Sequence, residues 1–236
     1  RQGSVVEGTY VYGVNSANFD PKEKVISNAS CTTNCTQPVV DVLKQFGLKA
    51  GTAVTTHSVT ASQVLLDKAN MKKPERGMAA TGNIIDTSSG VAKALPLVDP
   101  DLAGKFTANA LRVPTLNGSI VTLTTRVDKS VTKEDIIAAL EEASQGRLKG
   151  TLRLDNIFAS GQIIGDKTTS IVVKKSIVTL PTSDGGTLVS MQIWYDNEAG
   201  YTNQYIRMME EIAVAQEQKR HPKKTHAPPV KVKEAK

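Results

Sequence analysis

Ser27-Asn28-Ala29-Ser30-Cys31-Thr32-Thr33-Asn34-Cys35 is the stretch around which the rest of the chain arranges itself. Upstream, Glu23-Lys24-Val25-Ile26 reads as strand. Downstream, Val39, Val42, Leu43 and Phe46 recur at helical spacing until Gly47 ends the run. Cys31 therefore falls where strand gives way to helix, among small residues that hydrogen-bond readily. In the first turn of a helix a thiol meets the positive end of the macrodipole, which favours thiolate over a thiol of pKa about 8.5. The plain alternative is that Cys31 is a small buried hydrophobe, as most lone cysteines are. Cys35 shares a helix face with it. A metal pair or a redox disulfide is one reading of the two cysteines. Packing is the preferred reading of Cys35, because two ligands do not close a zinc site, and no metal is expected.

The chain of 236 residues is long enough to bury a proper core. Its 39% apolar and 22% charged residues are those of an ordinary globular protein. No run approaches the ~20 apolar residues of a membrane span, and no secretory signal opens the chain. The first residue is Arg, so a fragment or a processed chain is expected. Two cysteines rule out a disulfide framework and fit a reducing, cytoplasmic setting. The net charge of +6 invites nucleic acid as a partner, but its location argues otherwise. From Lys219 onward there are seven Lys or Arg and one Glu, while residues 1–218 carry 22 basic and 22 acidic side chains. Only the tail is cationic; from His221 on it is expected to be disordered in isolation.

In chain order, Gly8–Val14 and Lys24–Ser27 read as short strands around a loop at 15–21. Pro38 either kinks the Cys31 helix or marks the first position of its main part. Thr52–Ser62 is a Thr/Val-rich strand carrying His57, and residues 63–81 read as a long surface loop. Asn109–Pro114 and Ser119–Val127 are strands. Thr132-Lys133-Glu134-Asp135 opens a helix with an N-cap and an acidic first turn, closing at Gly146. Residues 163–164, 170–173, 176–180 and 187–195 are further strands. Tyr205, Met208, Met209, Ile212 and Ala213 form one face of a last helix. The expected architecture is α+β, a mostly antiparallel mixed sheet with helices on one face.

The string Ser-Asn-Ala-Ser-Cys-Thr-Thr-Asn-Cys closely resembles the active-site segment of glyceraldehyde-3-phosphate dehydrogenases. Further segments resemble the same family in the same order. They are Thr55-Thr56-His57-Ser58-Val59-Thr60-Ala61, Asn83-Ile84-Ile85, Ser88-Ser89-Gly90-Val91-Ala92-Lys93-Ala94, Leu111-Arg112-Val113-Pro114-Thr115 and Trp194-Tyr195-Asp196-Asn197-Glu198. The resemblance covers roughly residues 8–215. It implies closing strands of a dinucleotide-binding domain at 1–29, a catalytic domain at 30–218 and a basic flexible tail at 219–236. No G-x-G occurs anywhere, so the usual pyrophosphate turn is missing. The chain reads as a catalytic half without its cofactor half.

What the resemblance implies is an NAD-dependent phosphorylating aldehyde dehydrogenase of glycolysis. Cys31 would add to the aldehyde of glyceraldehyde 3-phosphate, with His57 as general base, and inorganic phosphate would capture the resulting thioester. Thr60 and Arg112 would hold the substrate phosphate. Ser30, Thr32, Ser89 and Gly90 would hold the attacking phosphate, Ser89 standing where Thr is usual. Asn197 would hydrogen-bond the nicotinamide of NAD. A homotetramer, or pairing with the missing NAD-binding part, is expected.

Three departures stand against that pattern. Met78 occupies the place of the family's arginine before a Gly-Ala-Ala step, with Arg76 displaced by two residues; Ala199 replaces a usual aromatic; and the tail is an addition. The alternatives are a relative acting on another phosphorylated aldehyde, such as erythrose 4-phosphate, and a non-catalytic subunit. The latter would be a scaffold whose basic tail binds RNA or an anionic protein assembly.

Overall fold

Ser30 begins the central helix. Its side chain accepts from the Thr33 amide, capping α1 (Cys31–Leu43), and the preceding Ala29 turns the chain with a left-handed φ of 55°. Among the described residues Ala29 is the one non-glycine with positive φ, a conformation that costs about 1–2 kcal/mol and tends to collect at functional sites. The computed structural model describes residues 5–220.

Pro38 lies inside α1, which runs on through it rather than starting there. The proline cannot donate to the Asn34 carbonyl. Ser170 replaces part of the lost bonding, its hydroxyl lying 2.7 Å from the Cys35 carbonyl and 3.4 Å from that of Asn34.

Ahead of α1, β1 (Gly8–Thr9) and β2 (Ile26–Ser27) form a separate parallel pair, shorter than the sequence pattern predicts. After it come β3 (Leu48–His57), β4 (Ile85–Ser88), α2 (Val91–Val98), β5 (Phe106–Arg112), β6 (Ser119–Val127) and α3 (Lys133–Gln145). The chain continues with β7 (Leu152–Asp155), β8 (Ser170–Val173), β9 (Val178–Pro181), β10 (Thr187–Tyr195) and α4 (Ala199–Arg220). Strands β3 to β10 make one eight-stranded sheet in the order β4-β5-β3-β6-β10-β8-β7, with β9 paired to one half of β10. Only β3–β5 and β7–β8 are parallel; the other pairings are antiparallel, as an α+β fold predicts.

Strict alternation in β6 and β10 buries one face, with Val121, Leu123, Val189 and Ile193 fully enclosed. Over that face lie Val39 and Leu43 of α1, Leu95 of α2, and Ile136 and Leu140 of α3. Each such side chain contributes about 1.5–3 kcal/mol on burial. Thr132 caps α3 through a reciprocal box with Asp135.

Several local expectations give way. Ile163 closes a 3₁₀ turn, Ser160–Ile163, instead of a strand; its apolar side chain packs with Ile157 and Ile171. β3 starts earlier than expected, just after the left-handed Gly47, and stops at His57. The loop after it holds one bridge, Val64 to Ala79, and a 3₁₀ turn at Pro74–Gly77. α4 continues through Lys219 and Arg220, the first two residues of the expected basic tail. The rest of that tail lies outside the described residues. Among the described residues no helix is long and apolar enough to cross a membrane.

Candidate active site

Parallel register does the first work. β3 and β5 pair so that His57 and Arg112 are direct neighbours at the strand ends, beneath the start of α1. Cys31, on the first turn of that helix, brings Sγ to 3.5 Å from His57 Nε2. The thiol and the imidazole read from the sequence therefore meet, although 26 residues separate them.

The electrostatics of Cys31 differ from the sequence expectation. Burial pushes its thiol up. The Thr32 hydroxyl, the backbone amides of Thr32 and Cys31 and the Arg112 charge all pull the other way, as a helix start predicts, but do not overcome it. His57 is lowered to about 4 by burial first and then by Arg112 and Arg76, against the Ser58 carbonyl, which raises it. Burial thus works against the charged form of both groups.

Arg112 points into the same space. Its Nη1 lies 2.6 Å from His57 Nδ1 and donates to the Ser58 carbonyl at 2.8 Å, while its Nε is buried without a partner. Burial and then Arg76 lower its own affinity for a proton, without bringing it near neutrality. Arg76 lies two residues from the position at which the family pattern places its arginine. Its guanidinium hydrogen-bonds Ser62 Oγ, which sits 2.9 Å from Thr60 Oγ1, and its charge acts on both His57 and Arg112. Met78, at the position aligned with the family's arginine, is half-exposed.

A second set of groups holds the first. Asn197 Oδ1 accepts from Ser58 Oγ and Ser119 Oγ, each at 2.8 Å, and all three residues are buried. Tyr195 hydrogen-bonds Thr32 at 2.9 Å and stands edge-on to the His57 ring. Asp196 accepts from the amides of Glu198 and Ala199, which fixes the start of α4. Sequence reasoning passed over Ser58, Ser119 and Tyr195. Ser58 and Tyr195 stand inside the quoted segments, but Ser119 becomes relevant only once β6 is laid beside β3.

The remaining predicted residues divide. Ser30 is spent on capping α1, with Oγ 2.8 Å from Thr33 Oγ1. The Thr32 hydroxyl is buried against Tyr195. Ser89 and Gly90 sit between β4 and α2, Ser89 Oγ accepting from the Val91 amide, and neither hydrogen-bonds Cys31, His57 or Arg112. Cys35 is fully enclosed in the hydrophobic core. Among the described residues no group of three His, Cys, Asp or Glu is placed to hold a metal ion. For a nicotinamide the fit rests on Asn197: its oxygen is committed to two serines, which leaves its Nδ2 to donate to a carboxamide oxygen.

This arrangement offers a nucleophilic sulfur, a proton-transfer group and two cations for an anionic substrate. Residues 30–197 match the model of the glyceraldehyde 3-phosphate dehydrogenase C-terminal domain. The chain is 44% identical over 208 residues to glyceraldehyde-3-phosphate dehydrogenase of Priestia megaterium, covering 87% of this chain and 61% of the relative. It is 41% identical over 207 residues to the chloroplastic enzyme GAPCP1 of Arabidopsis thaliana, covering 87% of this chain and 48% of the relative. The chain thus spans about half to three-fifths of the curated relatives it matches. With its thiol, imidazole and arginines assembled in the matched region, the chain belongs to the glyceraldehyde 3-phosphate dehydrogenase family through the C-terminal domain of that family.

Proposed function

We propose that this chain is the catalytic part of an NAD-dependent phosphorylating dehydrogenase of glyceraldehyde 3-phosphate, active when joined to a dinucleotide-binding part. The observation that carries the reading is Cys31 Sγ at 3.5 Å from His57 Nε2 with the Arg112 guanidinium alongside. His57 takes the thiol proton, and Cys31 adds to the aldehyde carbon to give a thiohemiacetal. An oxidised nicotinamide, when bound, supplies a hydride acceptor, which no side chain can provide. Cys31 then holds the acyl group as a thioester, which inorganic phosphate attacks. Thr60, Arg76 and Arg112 hold the substrate phosphate, and Arg76 makes good the missing arginine at position 78. Ser30, Thr32, Ser89 and Gly90 surround the incoming phosphate, chiefly through backbone groups in the case of Ser30 and Thr32. Asn197 orients the carboxamide.

Residues 1–29 fit the closing strands of the missing domain, and residues 30–218 fit the catalytic unit. The half-exposed Tyr205 and Met209 on α4 and the exposed Leu65 and Leu66 of the loop after β3 favour further contacts, in a homotetramer or with that domain. A cytoplasmic setting fits the two free cysteines. The test is phosphate-dependent NAD reduction by this chain joined to a dinucleotide-binding domain. Absence of that activity, together with no iodoacetamide-sensitive thiol at neutral pH, rejects the reading.

A second reading, a scaffold for RNA or an anionic assembly, is favoured by the charge that begins at Lys219. It predicts salt-sensitive binding that disappears when residues 219–236 are deleted.

A further inference from the structure

Two anions are to be held at this site, the phosphate of the substrate and the phosphate that attacks the thioester. The two arginines serve the first. Arg112 meets His57 and the Ser58 carbonyl, and Arg76 reaches Ser62, whose hydroxyl touches that of Thr60. The acceptor side, read as Ser30, Thr32, Ser89 and Gly90, is built differently.

β4 pairs antiparallel with β5, with Ile85 opposite Arg112 and Ser88 opposite Asn109. About 10 Å of strand therefore separates the backbone of Arg112 from the end of β4 where Ser89 and Gly90 follow. Near that end the loop presents a carboxylate. The buried Thr87 donates from Oγ1 to Glu75 Oε1 at 3.4 Å, and among the described residues no ion pair includes Glu75. Met78, where the family pattern has arginine, is half-exposed and brings no charge. Lys93, in the first turn of α2, is exposed. The Ser30 and Thr32 hydroxyls are engaged by Thr33 and Tyr195, and among the described residues no Lys or Arg side chain hydrogen-bonds any of the four. What remains for an anion is the positive end of α1.

A phosphate anion must shed water to reach the acyl carbon, and here no cation offsets that loss while a carboxylate adds to it. Water itself is neutral and needs no such partner. We infer that water competes with inorganic phosphate for the thioester on Cys31, giving the chain a second activity, thioester hydrolysis, with a carboxylic acid released beside the acyl phosphate. The inference rests on the acyl-enzyme of the reading above and adds an outcome to it. The water oxygen bonds to the acyl carbon and the carbon–sulfur bond breaks. One proton of the water ends on the Cys31 sulfur, and the other leaves with the acid, which ionises at neutral pH. No oxidant is consumed, because the acyl group is already at the oxidation level of the acid.

The test uses the chain by itself. p-Nitrophenyl acetate carries an acyl group at that same oxidation level, so no nicotinamide is needed to load Cys31. Release of nitrophenolate reports acetylation, and intact mass reports loss of the acetyl group. Cys31→Ser should lack the acetylated species. In wild type the acetyl group should leave at a rate indifferent to inorganic phosphate, with acetate as the main product. Met78→Arg supplies the absent cation, and phosphate should then speed deacetylation about tenfold and yield acetyl phosphate. Glu75→Gln should respond to phosphate in the same direction but less, and decides with wild type if Met78→Arg does not fold. Wild-type deacetylation that phosphate accelerates, with acetyl phosphate as the main product, overturns the inference and keeps Cys31 as nucleophile. Variants no more responsive to phosphate than wild type also overturn it. Failure of Cys31 to take up acetyl at all rejects instead the acyl-enzyme reading on which the inference stands.

Discussion

One wall of the site is sheet and the other is loop, and they do different work. On the sheet wall His57, Arg112 and Ser119 end or begin paired strands, and Asn197 lies two residues beyond the end of β10. His57, Arg112 and Ser119 are fixed by ladders of backbone bonds, and the imidazole read as the base is among them. The loop wall, residues 61–83, has one bridge and one short 3₁₀ turn, and it exposes Leu65, Leu66 and Met71 to solvent. It contributes a charge, Arg76. A charge acts over several ångströms, so its carrier tolerates mobility, whereas a proton moves only between atoms held at hydrogen-bond reach. Substitutions on the sheet wall should therefore damage rate and fold together. Those on the loop wall should change affinity alone.

The largest effect is expected where α1 starts, above the sheet wall. Cys31→Ser should reduce phosphate-dependent NAD reduction, in the chain joined to its dinucleotide part, by a factor on the order of 10⁵, with far-ultraviolet circular dichroism unchanged.

Next comes acid. His57 has a folded pKa of about 4 against 6.5 when free. The unfolded chain therefore binds more protons between these values, and stability is lost as pH falls from 6.5 toward 4. The loss should approach roughly 3 kcal/mol, read by urea unfolding, and His57→Gln should flatten that part of the profile.

Asn197→Ala should orphan the Ser58 and Ser119 hydroxyls and cost about 1–3 kcal/mol by the same method. Arg76→Gln should leave the unfolding free energy within about 0.5 kcal/mol of wild type and raise the KM for the phosphorylated aldehyde about tenfold, the worth of one charge-assisted contact. An equal loss of stability in Arg76→Gln and Asn197→Ala would erase the distinction between the walls. The smallest effect is set far from both: Thr132→Ala should cost about 1 kcal/mol through the α3 cap alone, with no change in alkylation of Cys31.

Much of this was legible in the sequence. The helix after Cys31, the Thr132 cap and the alternating β6 and β10 follow directly from residue order. β4, β7 and α2 did not. β4 and β7 are four residues each, with polar outward positions, and α2 is an eight-residue helix interrupted by Pro96, so each repeats its pattern only about twice. At the site, the segment matches brought out His57 and Arg112 singly, but their adjacency is a property of parallel register, which no local pattern encodes. Arg76 stands two residues from the position the family pattern marks, and residue order alone does not say where the loop carries it. The loop's path from Ser62 returns through the 3₁₀ turn at Pro74–Gly77, which brings the Arg76 guanidinium back to Ser62.

The two cysteines of α1 lie one turn apart yet differ wholly in access: Cys31 is partly open, and Cys35 is sealed beneath the carbonyl of Ile193. A thiol reagent applied to the native protein thus carries two clocks. The first modification times the chemistry of the nucleophile, and the second can occur only when the seam between helix and sheet parts. Counting labels per chain against time would measure how often the molecule breathes, with no probe added to it.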